Sequence, residues 1–128
     1  MDVINIEFIK KLIHKAEKTD RLRVAYDLRN SPEDNSQRIL NALMPGTEVP
    51  IHRHKGSSET TICIYGRASV YFYEQKPDGS FIQTEMVTLD PSCGRYGIQI
   101  PKGAWHTVKV VFPSLLCEVK DGKYEPQK

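Results

Sequence analysis

The feature that most constrains this chain is its punctuation. From Gln37 onward, short apolar and β-branched runs alternate with Gly and Pro: Arg38–Met44, Thr60–Tyr65, Ala68–Glu74, Phe81–Leu89, Tyr96–Ile100, Trp105–Phe112 and Leu115–Lys120. Between them stand Pro45-Gly46, Lys55-Gly56, Pro77-Asp78-Gly79, Asp90-Pro91 and Lys102-Gly103. Runs this short, interrupted this often, cannot make a helical bundle. Seven of them in succession predict an all-β sandwich or barrel. Pro77-Asp78-Gly79 carries a hairpin mechanism, since Pro presets one turn dihedral and Gly supplies a positive φ.

One helix is expected ahead of the strands, within the first twenty residues. Asn5 can cap it, Glu7 sits in its first turn, and Ile6, Ile9, Leu12, Ile13 and Ala16 recur at helical spacing. Lys10, Lys11, His14, Lys15 and Lys18 fill the other face, the solvated side that any surface helix needs. Residues 19–36 carry turn formers such as Asn30-Ser31-Pro32 and little periodicity. The expected organisation is one domain over 1–128: helix and extension at 1–36, β-barrel at 37–120, tail at 121–128.

Charge and composition exclude several function classes. Eighteen Lys+Arg against sixteen Asp+Glu leave +2, and the basic residues are scattered, unlike the basic stripe of a nucleic-acid binder. Apolar runs fall far short of the ~20 residues that span a bilayer. Met1–Phe8 lacks the basic and apolar regions of a signal peptide. Cys63, Cys93 and Cys117 are an odd number at wide spacing with no C-x-x-C pair, which fits a reduced, cytoplasmic setting.

The chemistry concentrates in three histidines and a glutamate. In extended chain, residues two apart share a face, so His52 and His54 can converge on one point. Glu59 follows after a flexible Lys55-Gly56-Ser57-Ser58 turn, and His106 opens a later strand. Three imidazoles and a carboxylate suit a divalent first-row metal: Fe, Mn, Co, Ni or Zn. Four protein ligands in an octahedral site leave two positions for water, dioxygen or a bidentate substrate. His14, alone on the helix, reads as an ordinary surface residue.

These residues resemble the cupin superfamily. Its first motif, G-x5-H-x-H-x4-E-x6-G, is reproduced by Gly46, His52, His54, Glu59 and Gly66. From this composition a chance match anywhere in the chain has odds of roughly 3 in 100,000. The second motif, G-x(5–7)-P-x-G-x2-H-x3-N, is met by Gly94, Pro101, Gly103 and His106, with Val110 in place of the final Asn. The resemblance narrows to the WbuC-type cupins. It is carried by Arg21 to Arg23, Gln37-Arg38, Asn41-Ala42, Pro45-Gly46, His52-Arg53-His54 and Trp105-His106-Thr107, and by Glu118-Val119-Lys120 with Gly122, Tyr124 and Pro126. Asp27 and Arg29 stand where that family tends to carry Asn and His.

The resemblance implies a double-stranded β-helix, a jelly-roll barrel with an N-terminal helix packed outside. It also implies His52, His54, Glu59 and His106 as ligands to one divalent transition metal, and a place in bacterial surface-polysaccharide metabolism. Three functions stay open. One is a metal-dependent isomerase or epimerase acting on a small oxygen-rich molecule such as a sugar derivative. The second is an iron-dependent dioxygenase, and the third a non-catalytic carbohydrate-binding or sensing module. One fold hosts all three.

Strand parity suggests what lines the barrel. Thr61, Cys63 and Tyr65 share a face with Glu59, while Val108, Val110 and Phe112 share one with His106. Thr61 and Cys63 are thus candidate substrate contacts, although a small buried cysteine is also ordinary core. Tyr65 and Glu118 are candidates for a general base separate from the metal ligands. Arg38 can grip an anionic substrate with its guanidinium, or simply make a surface ion pair. Arg53 has the opposite parity to its neighbouring histidines and points away. The sheet faces opposite the metal carry Ile62, Ile64, Thr107, Lys109 and Val111. A homodimer is expected to cover such a face, unless the helix does so within one chain.

Overall fold

A computed structural model describes residues 1–122, so Tyr124, Pro126 and most of the expected 121–128 tail lie outside the described residues. The helix α1 spans Ile6–Glu17. Asn5 Oδ1 accepts the Phe8 backbone N–H at 2.9 Å, satisfying one of the first-turn donors that no helix can pair internally. Ile9, Leu12, Ile13 and Ala16 are buried, but Ile6 remains 51% exposed at the outer end of the stripe.

Eight strands follow: β1 (Arg23–Asp27), β2 (Ser36–Leu43), β3 (Glu59–Tyr65), β4 (Ala68–Gln75), β5 (Phe81–Leu89), β6 (Gly97–Ile100), β7 (Trp105–Val110) and β8 (Ser114–Asp121). They form two antiparallel sheets, a five-stranded one in the order β1-β2-β8-β3-β6 and a three-stranded one in the order β5-β4-β7. This is the expected jelly-roll barrel. Period-2 alternation sorts the side chains. On β2, Leu40 and Ala42 pack outward against α1 with Leu115 of β8, while Leu43 faces the interior. Cys63, Val70, Leu89, Ile100, Val110 and Leu116 join Leu43 in an apolar core between the sheets.

The turn-rich reading of residues 19–36 misses β1. Its alternation is present: Val24 and Tyr26 pack toward α1, where Tyr26 stands edge-on to Phe8 at 5.1 Å. Arg23 and Asp27 occupy the other face, and five residues with charges at both ends are too few to read as a strand. The Pro77-Asp78-Gly79 turn does join β4 to β5, with the Lys76 N–H donating to the Ser80 carbonyl at 2.7 Å and Gly79 at φ +90°.

A bulge in β3 corrects the parity argument. The β3–β8 register slips between Cys63 and Tyr65, so Tyr65 turns out of the lumen and packs beside Ile64 in the cluster around α1. Gly66 follows at φ +87°, and a Cβ there would lie 2.5 Å from the Pro113 carbonyl oxygen. The last glycine of the first motif therefore marks a close passage of two backbones. Phe112 likewise leaves the His106 face, because β7 ends at Val110; its ring is half exposed under the Arg67 guanidinium. No helix among the described residues is long and apolar enough to cross a membrane.

Candidate metal centre

His52 and His54 lie on extended chain just before β3, and His106 is the second residue of β7. An isolated antiparallel bridge joins them: His52 N–H donates to the His106 carbonyl at 3.0 Å, and His106 N–H to the His52 carbonyl at 2.8 Å. The Gly103 N–H donates to the His54 carbonyl at 2.8 Å, tying the second-motif turn to the same segment. Backbone pairing therefore sets the rings side by side, with centroids 4.3, 5.2 and 5.7 Å apart. One ligating nitrogen from each ring lies within 4.8 Å of the others.

The tautomers follow from two short contacts. His52 Nδ1 is 2.9 Å from the Pro50 carbonyl oxygen, and His106 Nδ1 is 2.9 Å from the Ala104 carbonyl oxygen. A carbonyl only accepts, so each neutral ring donates from Nδ1 and keeps its lone pair on Nε2. This backbone support of the distal nitrogen is the usual way a metal-binding imidazole is oriented. His106 Nε2 and His54 Nε2 are both buried without a hydrogen bond. Buried polar atoms are seldom left so, and a shared cation is the simplest partner for clustered lone pairs.

Glu59, at the start of β3, brings a carboxylate to the same place. Its Oε2 lies 2.9 Å from His54 Nε2, an ion-pair distance without hydrogen-bond alignment, and Oε1 accepts from the Thr61 hydroxyl at 3.1 Å. The arrangement reads as two lone pairs aimed at a common point. Burial is the largest influence and pushes the Glu59 carboxyl upward. A proton on the neighbouring His54 imidazole, with smaller contributions from His106 and the Thr61 hydroxyl, outweighs it and leaves the carboxyl below its ordinary value. Burial also holds His52 below the ordinary imidazole value and His106 down to about 4, in each case against the upward pull of its carbonyl partner. His52 and His106 are thereby biased toward the neutral form and Glu59 toward the ionised form, the states in which these groups ligate a divalent cation.

The other sequence candidates divide. Thr61 lines the cavity beside Glu59. Glu118, across the β3–β8 ladder from Thr61, lines it too, and Asn41 Nδ2 donates to its Oε2 at 2.9 Å. Burial, with the Glu59 charge added, pushes Glu118 up to about 8. Cys63 is a core residue, 2% exposed, its thiol raised to about 11 by burial, and it does not line the cavity. Tyr65 fails as a base because the bulge turns it toward α1. Arg38 faces away from the lumen, its guanidinium 3.2 Å from Asp34 and 2.6 Å from the Ser36 carbonyl oxygen, so it takes the surface ion-pair role. Arg53 stacks over Trp105 at 4.4 Å.

Sequence reasoning did not nominate Asn41 or Gln37 as lumen residues. The signal was available: Gln37, Ile39, Asn41 and Leu43 alternate along β2 with the helix-facing Leu40 and Ala42. The inner cavity measures about 150 Å³ and opens into a bowl of about 600 Å³ walled by β1, β2 and β8. Asp27 and Arg29, where the chain departs from the WbuC pattern, both line that bowl. They bind each other through three contacts of 2.8 to 3.1 Å.

Three comparisons bear on this site. A family model described as a domain of unknown function (DUF6016) matches residues 4–87. No curated protein matches the sequence. Among solved structures, TT1209 from Thermus thermophilus aligns over 97% of this chain and 100% of its own, at 21% identity and a TM-score of 0.67. The capsular polysaccharide assembling protein CapF from Staphylococcus aureus aligns over 84% of this chain, at 18% identity and a TM-score of 0.62. This chain spans only 28% of CapF's length. L-Ribose isomerase from Cellulomonas parahominis, solved with L-psicose, aligns over 81% of this chain and 62% of its own, at 16% identity and a TM-score of 0.63. These likenesses establish the cupin fold.

Proposed function

This chain belongs to the DUF6016 family, and we propose that it is a mononuclear divalent-metal cupin that isomerises or epimerises a small sugar derivative. The carrying observation is the convergence of His52, His54 and His106 within 4.8 Å, two of their Nε2 atoms buried and unbonded. Glu59 is the fourth ligand in this reading. Bound there, the metal supplies Lewis-acid polarisation of a carbonyl or hydroxyl. Its identity is one of Fe, Mn, Co, Ni and Zn, because imidazole and carboxylate accept them all.

Glu118 favours an enzyme over a binding module. It is a carboxyl in the same cavity, apart from the ligand set and held by the Asn41 amide. A group that keeps its proton near neutral pH in such a place can give and take one as a general acid–base. Thr61 orients Glu59, and Val108, Val70 and Leu116 supply an apolar part of the inner cavity's wall. The WbuC resemblance and the CapF likeness support a setting in surface-polysaccharide metabolism, and three free cysteines agree with the cytoplasm.

The test begins with metal content. Protein purified without a histidine tag should carry or take up about one metal per chain. Under about a tenth, unrestored by added metal, would overturn the reading. Manganese-loaded protein is then assayed for sugar isomerisation. Iron-loaded protein is assayed for dioxygen consumption, whose appearance would favour the dioxygenase. Sugar binding that survives Glu118→Gln with no turnover by either form would favour a non-catalytic module.

A further inference from the structure

The bowl outside the histidines holds groups that the metal reading leaves unused. Its wall carries the cations Arg21, Arg23, Arg29 and Lys120. Asp27 is taken up by Arg29, and Glu59 is turned toward His54. Arg23 Nη1 donates to the Glu48 carbonyl at 2.6 Å, which fixes the guanidinium at the wall. Arg21, on the exposed rim, makes no ion pair among the described residues. The described lining thus sets four cations against three carboxyl groups, Asp27, Glu59 and Glu118, the last held by the Asn41 amide.

Gln37 gives a second, independent indication. It is 5% exposed, lines the same bowl, and its Oε1 is buried without a donor among the described residues. A buried acceptor in that state is destabilising unless something brings it a hydrogen. Among the described residues, no Phe, Tyr or Trp lines the bowl.

We propose that the bowl binds an acidic sugar, its carboxylate or phosphate against Arg21 and Arg23 and one of its hydroxyls donating to Gln37 Oε1. This deepens the sugar reading above and rests on it for the part of the ligand that enters the inner cavity. Guanidinium groups suit either anion, since both present paired oxygens to a planar fork of donors. The cationic rim also draws such a ligand from solution, an effect that salt weakens.

Calorimetry on metal-free and manganese-loaded protein tests this with four probes: glucose, glucose 6-phosphate, glucuronate and inorganic phosphate. At least one charged sugar should bind about tenfold or more tighter than glucose and more tightly than inorganic phosphate. Whichever charged sugar leads identifies the anion. Arg21→Gln, at an exposed position, should remove about tenfold of that preference, the scale of one charge-assisted contact. Equal binding of glucose and the charged sugars, a preference untouched by Arg21→Gln, or no binding of either charged sugar would overturn the proposal. Inorganic phosphate matching glucose 6-phosphate would overturn the hydroxyl contact. Metal content measured on the same samples separates the two readings. Protein that takes up no metal but keeps an Arg21-dependent preference sinks the metal centre and retains the bowl. Metal-loaded protein without the preference does the reverse.

Discussion

His106 should bind metal almost free of competition from protons, and that can be measured. An imidazole at the ordinary value of about 6.5 is roughly nine-tenths protonated at about pH 5.5, so each such ligand loses about tenfold in metal affinity there. Three ordinary imidazoles would together lose about a thousandfold. His106, held to about 4 by burial, is only a few per cent protonated at that pH and contributes almost nothing to the loss. His52 is displaced in the same direction, and the Glu59 carboxyl lies below its ordinary value, already ionised. The affinity for cobalt should therefore fall by less than about a hundredfold between about pH 7.5 and about pH 5.5. Titration calorimetry in two buffers of different ionisation enthalpy counts the protons released, which should stay below two. A loss near a thousandfold, or release approaching three protons, would refute the claim that the fold holds His52 and His106 neutral before metal arrives.

The metal-free protein should lose stability as pH rises from about 6.5 to about 8. Glu118, raised to about 8, gives the folded state an extra proton from its ordinary value upward, and that contribution is lost as pH climbs through the folded value. His106 works oppositely, adding stability as pH rises from about 4 to about 6.5, and is spent beyond that. Denaturant midpoints across pH should show the alkaline decline, and Glu118→Gln should abolish it. Leu40→Ala, at a fully buried junction of sheet and helix, should cost about 2–5 kcal/mol in thermal or chemical unfolding. Gly66→Ala should also destabilise, because it combines a positive φ with a backbone clash at Pro113; an unchanged melting temperature would refute that account. Sedimentation at micromolar concentration should give twice 14.6 kDa for the expected homodimer, whereas one species at 14.6 kDa would leave α1 as the sheet's cover.

Local pattern carried much of this architecture. β5 runs from Phe81 to Leu89 as its alternation and flanking turns predict, and Asn5 caps α1 as its side chain suggests. Histidines at 52 and 54 share a face because extended chain has period two, and pairing with β7 brings His106 beside them. What stayed hidden depends on long-range register. Nothing near Tyr65 announces the bulge, which exists because β3 slips against β8, a strand far along the chain. Glu118 gains its place from the same ladder, lying opposite Thr61, and its burial is a property of the closed barrel. Arg38 read equally as an anion-binding residue or a surface ion pair, and β2 parity decides for the ion pair by giving the inward position to its neighbour Gln37.

The size of the inner cavity decides what this protein can seat. Leu43, Cys63, Leu89 and Leu116 belong to the apolar core packed beside the cavity, which adjoins the arginine-rimmed bowl. At about 150 Å³ the chamber is well under the ~300 Å³ at which drug-sized pockets begin. Anything longer than one ring must leave its remainder outside. A saccharide of several units could therefore seat only one of them in the chamber, with the rest held in the bowl outside.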